Sequence, residues 1–166
     1  MKKLICMMML MLGMASSASA QDVWREILKI SREAKDNKEL DIEARKVATF
    51  KYDVLSYMAM KVRDDVLKDT TDLENFNITA RMLNEQSYAL YDFVNNFISR
   101  LSAAKSKSDK DIIITVFRNA SLNHPFYNDM DKDLVLSYIN HEGYITQFSL
   151  DTDWVKALEE VKKRNW

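Results

Sequence analysis

Little in this chain breaks a helix or crosslinks a fold. Its 166 residues include one proline, two glycines and one cysteine. Cys6 and Gly13 fall in the first twenty residues, which read as a leader, so Pro125 and Gly143 are the only breakers beyond it. Without cysteine there, disulfides, thiolate catalysis and cysteine-based metal sites are excluded together. With one glycine there, a Gly-x-Ser-x-Gly nucleophile elbow and a phosphate-cradling loop are excluded too. So few breakers predict long helices. Charge has no strong sign either: 24 basic residues stand against 25 acidic ones. A protein that grips a nucleic-acid backbone needs a basic surface. The basic runs KSKSDK (105–110) and KKR (162–164) fit a solvated loop and a helix C-terminus instead, where cations suit the dipole. No nucleic-acid partner is expected. No run after the leader is apolar enough to span a bilayer, so no transmembrane segment is expected in the mature chain.

The leader reading rests on three features in order. Lys2 and Lys3 form a positive start, LICMMMLMLGM an apolar core, and ASSASA a small-residue end with Ala18 and Ala20 at signal-peptidase spacing. Residues 1–20 are thus expected to be a cleaved signal peptide, and 21–166 one helical-bundle domain. Cys6 sits at the front of the apolar core, where a lipoprotein cysteine would not be. The expected location is periplasmic or extracellular, and not as a lipoprotein.

Hydrophobic spacing predicts helices near 22–36, 39–68 and 74–104. Another runs from an N-cap at Ser108 to just before Pro125, a short one spans 130–141, and a last one follows a cap at Ser149 or Asp151. IIITVF, within 111–118, is β-branched enough to be a strand as well. The expected fold is all-α: an up-and-down helical bundle built on a long antiparallel helix hairpin, 39–68 against 74–104, with shorter C-terminal helices. On the 74–104 helix, Phe76, Leu83, Leu90, Val94, Phe97, Ile98 and Leu101 make one stripe. Gln86 and Ser87 lie inside it, placed to bond across the core, recruit a water or line a ligand pocket.

The 39–68 helix carries two stripes. Val47, Val54, Leu55, Met58, Val62 and Val66 form one. Phe50, Tyr57, Met60 and Leu67 form another, among Lys46, Asp53, Lys61 and Asp64. Such a helix must be covered twice. Either the C-terminal segment packs over the second stripe, or Phe50, Tyr57 and Met60, rimmed by Lys46 and Lys61, form a partner-binding face.

HPFYNDMDKD (124–133) is the densest polar stretch. Asp129, Asp131 and Asp133 match the first alternate ligands of an EF-hand loop. Leu134 then stands where the loop needs glycine, and Asn140 where it needs a bidentate glutamate. Helix capping and a looser divalent-cation site are the two readings. His124 and His141 have no partner at metal-ligand spacing, and HExxH and ExxH are both absent. The sequence therefore singles out no catalytic residue and no cofactor. Asn77 and Asn119 head three-residue glycosylation patterns inside expected helices. Thr70, in Asp69-Thr70-Thr71, fits a short O-glycosylation pattern of exported Bacteroidota proteins.

The leader ending ASSASAQ and the run EGYITQFSLDTDWVKALEEV resemble small exported all-helical Bacteroidota proteins of unassigned function. That resemblance implies an envelope or secreted location and no activity. The expected function is an exported non-enzymatic binding or protein-interaction module of a Gram-negative bacterium, its partner a protein or envelope component. One alternative is a divalent-cation-binding protein, or a cation-dependent enzyme, using the three aspartates. The other is a periplasmic holdase-like chaperone.

Overall fold

The computed structural model describes residues 23–65, 73–141 and 143–164, with side chains omitted at 63–65 and 73–78. The leader, Val66, Leu67 and Thr70 lie outside the described residues, as do the side chains of Asp64, Phe76 and Asn77. Seven helices follow in order: α1 (Val23–Asp36), α2 (Ile42–Asp65), α3 (Leu73–Ala103), α4 (Lys107–Asn123), α5 (Lys132–Val135), α6 (Ser137–Asn140) and α7 (Trp154–Lys163). They pack on one another as an all-α bundle. Among the described residues there is no strand, only one isolated antiparallel bridge between Pro125 and Thr152. None of the described helices is long and apolar enough to cross a membrane.

Local sequence explains several boundaries. Asp41 accepts the Ala44 N–H at 2.9 Å and starts α2. The strand alternative for IIITVF fails because the segment is helical, with Ile113, Val116, Phe117 and Ala120 turned inward at helical spacing. The cap of α4 is Ser106, two residues before the expected Ser108. Ser106 Oγ accepts the Asp109 N–H, and the Asp109 carboxylate accepts the Ser106 N–H. This reciprocal box satisfies two donors at once. The short helix expected at 130–141 is two single turns, α5 and α6, joined at Leu136.

The two long helices pack on each other, and both pack on further elements. Among the described residues, α2 lies most extensively along α1, and α3 packs more on α7 and α1 than on α2. The reason is the centre of the core. Trp154, at the first turn of α7, is fully buried, with its ring 5.4 Å from Phe93 of α3 and 6.0 Å from Phe50 of α2. Phe93, Phe97, Phe117 and Phe148 complete a set of mostly edge-to-face rings around it. Trp24 ties α1 to both long helices. Its Nε1–H donates to the Leu55 carbonyl, and its backbone N–H to Asn84 Oδ1.

Candidate functional site

The second stripe of α2 is an interior face, which corrects the expectation of an open partner-binding surface there. Phe50 has no exposed surface. Its ring meets Tyr138 at 5.0 Å, Phe148 at 5.8 Å and Trp154, all edge-on. Tyr57 is buried as well, its ring edge-on to Tyr127 at 5.7 Å. The physical cause is the aromatic content of 126–154, which supplies the second cover that α2 needs. Met60 alone of the three reaches the surface, at 37% exposure. Lys46 pairs with Glu43 at 3.0 Å along its own helix. Lys61 turns towards Asp129.

Asp129 is the polar centre of that cover. Its Oδ2 accepts the Tyr57 hydroxyl at 2.6 Å and lies 2.7 Å from Lys61 Nζ, while Oδ1 accepts the Asp131 N–H at 2.9 Å. Tyr57 and Lys61 are one helical turn apart, so one carboxylate serves both. Burial pushes the Asp129 carboxyl up. The hydrogen bonds from Lys61, Tyr57 and the Asp131 backbone outweigh it and bring the group down to about 2. Burial, and then the Asp129 hydrogen bond, push the Tyr57 phenol well above its ordinary range. A second tyrosine–aspartate pair repeats the pattern, with the Tyr138 hydroxyl donating to Asp53.

The three aspartates do not converge on an ion. Asp129 faces α2. Asp131 caps α5 by accepting the Leu134 N–H at 2.9 Å, and Asp133 stands exposed in the first turn. Among the described residues no group of three His, Cys, Asp or Glu side chains is placed to hold a metal. Asn128 takes a left-handed φ of 45°, which asparagine tolerates better than most residues, and so turns the chain into this loop. Met130 projects from it with 92% exposure.

A second polar knot joins the end of α4 to the start of α7. The Ser121 and Thr152 hydroxyls lie 2.8 Å apart, Ser121 Oγ accepts the Ser149 N–H at 2.7 Å, and the Ser149 hydroxyl reaches Asp151 at 2.6 Å. Ser149 and Asp151 are therefore spent inward and do not cap α7. Asp153 does, accepting the Lys156 N–H. Gln86 bonds across the core, as its place in the α3 stripe allows: its Nε2 donates to Asp153 and its Oε1 accepts the Trp154 N–H at 2.7 Å. Ser87 instead bonds back to the Leu83 carbonyl. His124 Nε2 meets Glu160 Oε2 at 2.8 Å. Burial raises the Glu160 carboxyl, but hydrogen bonds from His124 and Arg164 outweigh it and hold the group below its usual value. His141 is exposed, with its ring against Tyr144. Asn119 is exposed on α4.

Comparison with known proteins gave no match among family models, curated proteins or solved structures.

One residue was not singled out by sequence reasoning. Lys51, on α2, is only 5% exposed. It sits four residues from Val47 and four from Leu55, squarely on the apolar face, and that spacing was the available signal. Its Nζ donates to Asn95 Oδ1 at 2.9 Å and stands 4.3 Å from the centre of the Tyr91 ring. Burial lowers its ammonium from the ordinary lysine range to about 7.

Proposed function

We propose that this chain is an exported, non-enzymatic protein-interaction module whose partner is a protein or envelope component. The observation that carries the reading is Met130, an almost fully exposed apolar side chain on a loop that Asp129 pins from below. A flexible thioether held on a fixed backbone suits an adaptable contact. Leu134, 43% exposed, adds apolar surface four residues on. The Lys61–Asp129 pair brings the backbone next to Met60 to the same end of the molecule. Export itself rests on the leader sequence, and N-terminal sequencing of the protein from cells should then begin at Gln21.

The test is site-specific photocrosslinking in the native envelope, with the reactive residue at position 130 and, as control, at the exposed Lys38. A discrete adduct from position 130 alone, lost in Met130→Asp at unchanged melting temperature, supports the proposal. No adduct, or the same adducts from both positions, counts against it. A broad ladder of adducts from position 130 would favour the holdase-like alternative.

A further inference from the structure

The turn from α3 into α4 gathers positive charge. Residues 100–110 hold four basic side chains, Arg100, Lys105, Lys107 and Lys110, against the single acid Asp109. That is a net of +3 in a chain whose net charge is −1. A solvated basic loop needs no apolar neighbour. This one borders an open cleft of about 410 Å³, within the ~300–1,000 Å³ typical of ligand sites. Arg100 and Lys105 line it, together with Ala103, Ala104, Ile112 and Ile113.

Local sequence shapes the cleft. α3 closes on Ala103, Ala104 follows it, and only three residues separate the two helices. Methyl side chains leave room that larger ones would fill. On α4, Ile113 turns into the core, while its neighbour Ile112 stays 53% exposed. An exposed isoleucine is ordinary by itself. At the wall of a cleft it is apolar surface that the tail of a ligand takes out of water. Asp109, also in the lining, does not cancel the cations. Its Oδ2 accepts the Ser106 N–H at 3.1 Å, inside the cap of its own helix. Lys105 is exposed and forms no ion pair among the described residues. The Asp109 N–H is taken by Ser106 Oγ, so an anion here meets side chains rather than the helix end.

We propose that this cleft binds a free single-chain carboxylate, an acid with a short unbranched apolar tail. Arg100 and Lys105 hold the carboxylate, for which the planar guanidinium fork is well shaped. The tail lies over Ala103, Ala104 and Ile112. An open cleft covers only part of such a tail, so the dissociation constant should be on the order of 100 μM. The site shares no residue with the Met130 loop and stands whether or not that loop takes a partner.

The experiment is an NMR titration of the full protein at constant ionic strength with hexanoate, octanoate and decanoate. Octanol and octyltrimethylammonium serve as head-group controls. Saturable one-to-one shifts are expected at the amides of Ala103, Ala104, Ile112 and Ile113. Each two carbons added should tighten binding by up to about tenfold until the cleft is full. Octyltrimethylammonium should leave these amides unmoved, and octanol should bind several-fold more weakly than octanoate. Arg100→Gln and Lys105→Gln should each weaken decanoate binding about fivefold, while Lys107→Gln, outside the lining, changes it little. Equal affinity for octanol and octanoate overturns the proposal, as does equal affinity for hexanoate and decanoate. Shifts that never saturate, or a loss as large from Lys107→Gln, also refute it, because charge alone then explains the binding. Should Arg100→Gln not fold, the chain-length and head-group series on the unaltered protein still decides.

Discussion

Replacing Asp129 with asparagine keeps the shape of the side chain and removes its charge. In the folded protein the carboxyl is held at about 2, against 3.8 for the free group. That gap of nearly two pH units corresponds to a stabilisation on the order of 2 kcal/mol at neutral pH. Because the folded value is depressed, the stabilisation is fully present above pH 4 and disappears as pH falls towards 2. The raised Tyr57 phenol adds nothing in this range, since it stays protonated in both states. Urea unfolding of the wild-type and Asp129→Asn proteins, followed by circular dichroism from pH 7 down to pH 3, measures both parts. The variant should be about 2 kcal/mol less stable at pH 7, with the gap narrowing steadily below pH 4. A loss under about 0.5 kcal/mol, or a gap that stays constant to pH 3, would refute the role given to the Tyr57–Asp129–Lys61 cluster.

Two further outcomes follow from the same geometry. Phe50→Ala should cost ~3–5 kcal/mol and lower the melting temperature by about 10 °C in calorimetry, because it leaves a cavity beside Tyr138, Phe148 and Trp154. A change of a degree or two would mean the ring is not in the core. Isothermal titration of calcium or magnesium at micromolar concentration should give no binding heat, and EDTA should leave the melting curve in place, because Asp129 and Asp131 already serve other groups.

The helices were readable because periodicity is a local signal. Ile113, Val116, Phe117 and Ala120 fall on one face whatever the rest of the chain does, and they face the core. Caps were harder to place. Ser106 and Ser108 both precede the apolar run of α4, and only the reciprocal bond with Asp109 selects between them. Ser149 and Asp151 looked like caps for α7 because the Ser121 that engages Ser149 lies 28 residues away, and Ser149 in turn engages Asp151. The cluster at Asp129 was hidden for the same reason: 72 residues separate it from Tyr57. The double stripe on α2 did announce that the helix is covered twice. Which segment covers it depends on aromatic packing between distant parts of the chain. Lys51 was legible in principle, since its spacing from Val47 and Leu55 places it inward. A charged residue amid core positions is easily read as a tolerated edge.

The position of Trp154 sets an order of events for folding. The ring at the centre of the core belongs to the last described helix, and the Ser121–Thr152 knot closes only with residues from the same stretch. Phe50 and Phe93 are made long before that ring and stay without it while the intervening chain is synthesised. Contacts so distant in sequence form late, because loop closure must come first. A nascent chain of this kind therefore stays loose until residue 154 has emerged. A chain cut short before Trp154 would leave the Phe50 and Phe93 rings without the side chain they pack against, as exposed apolar surface.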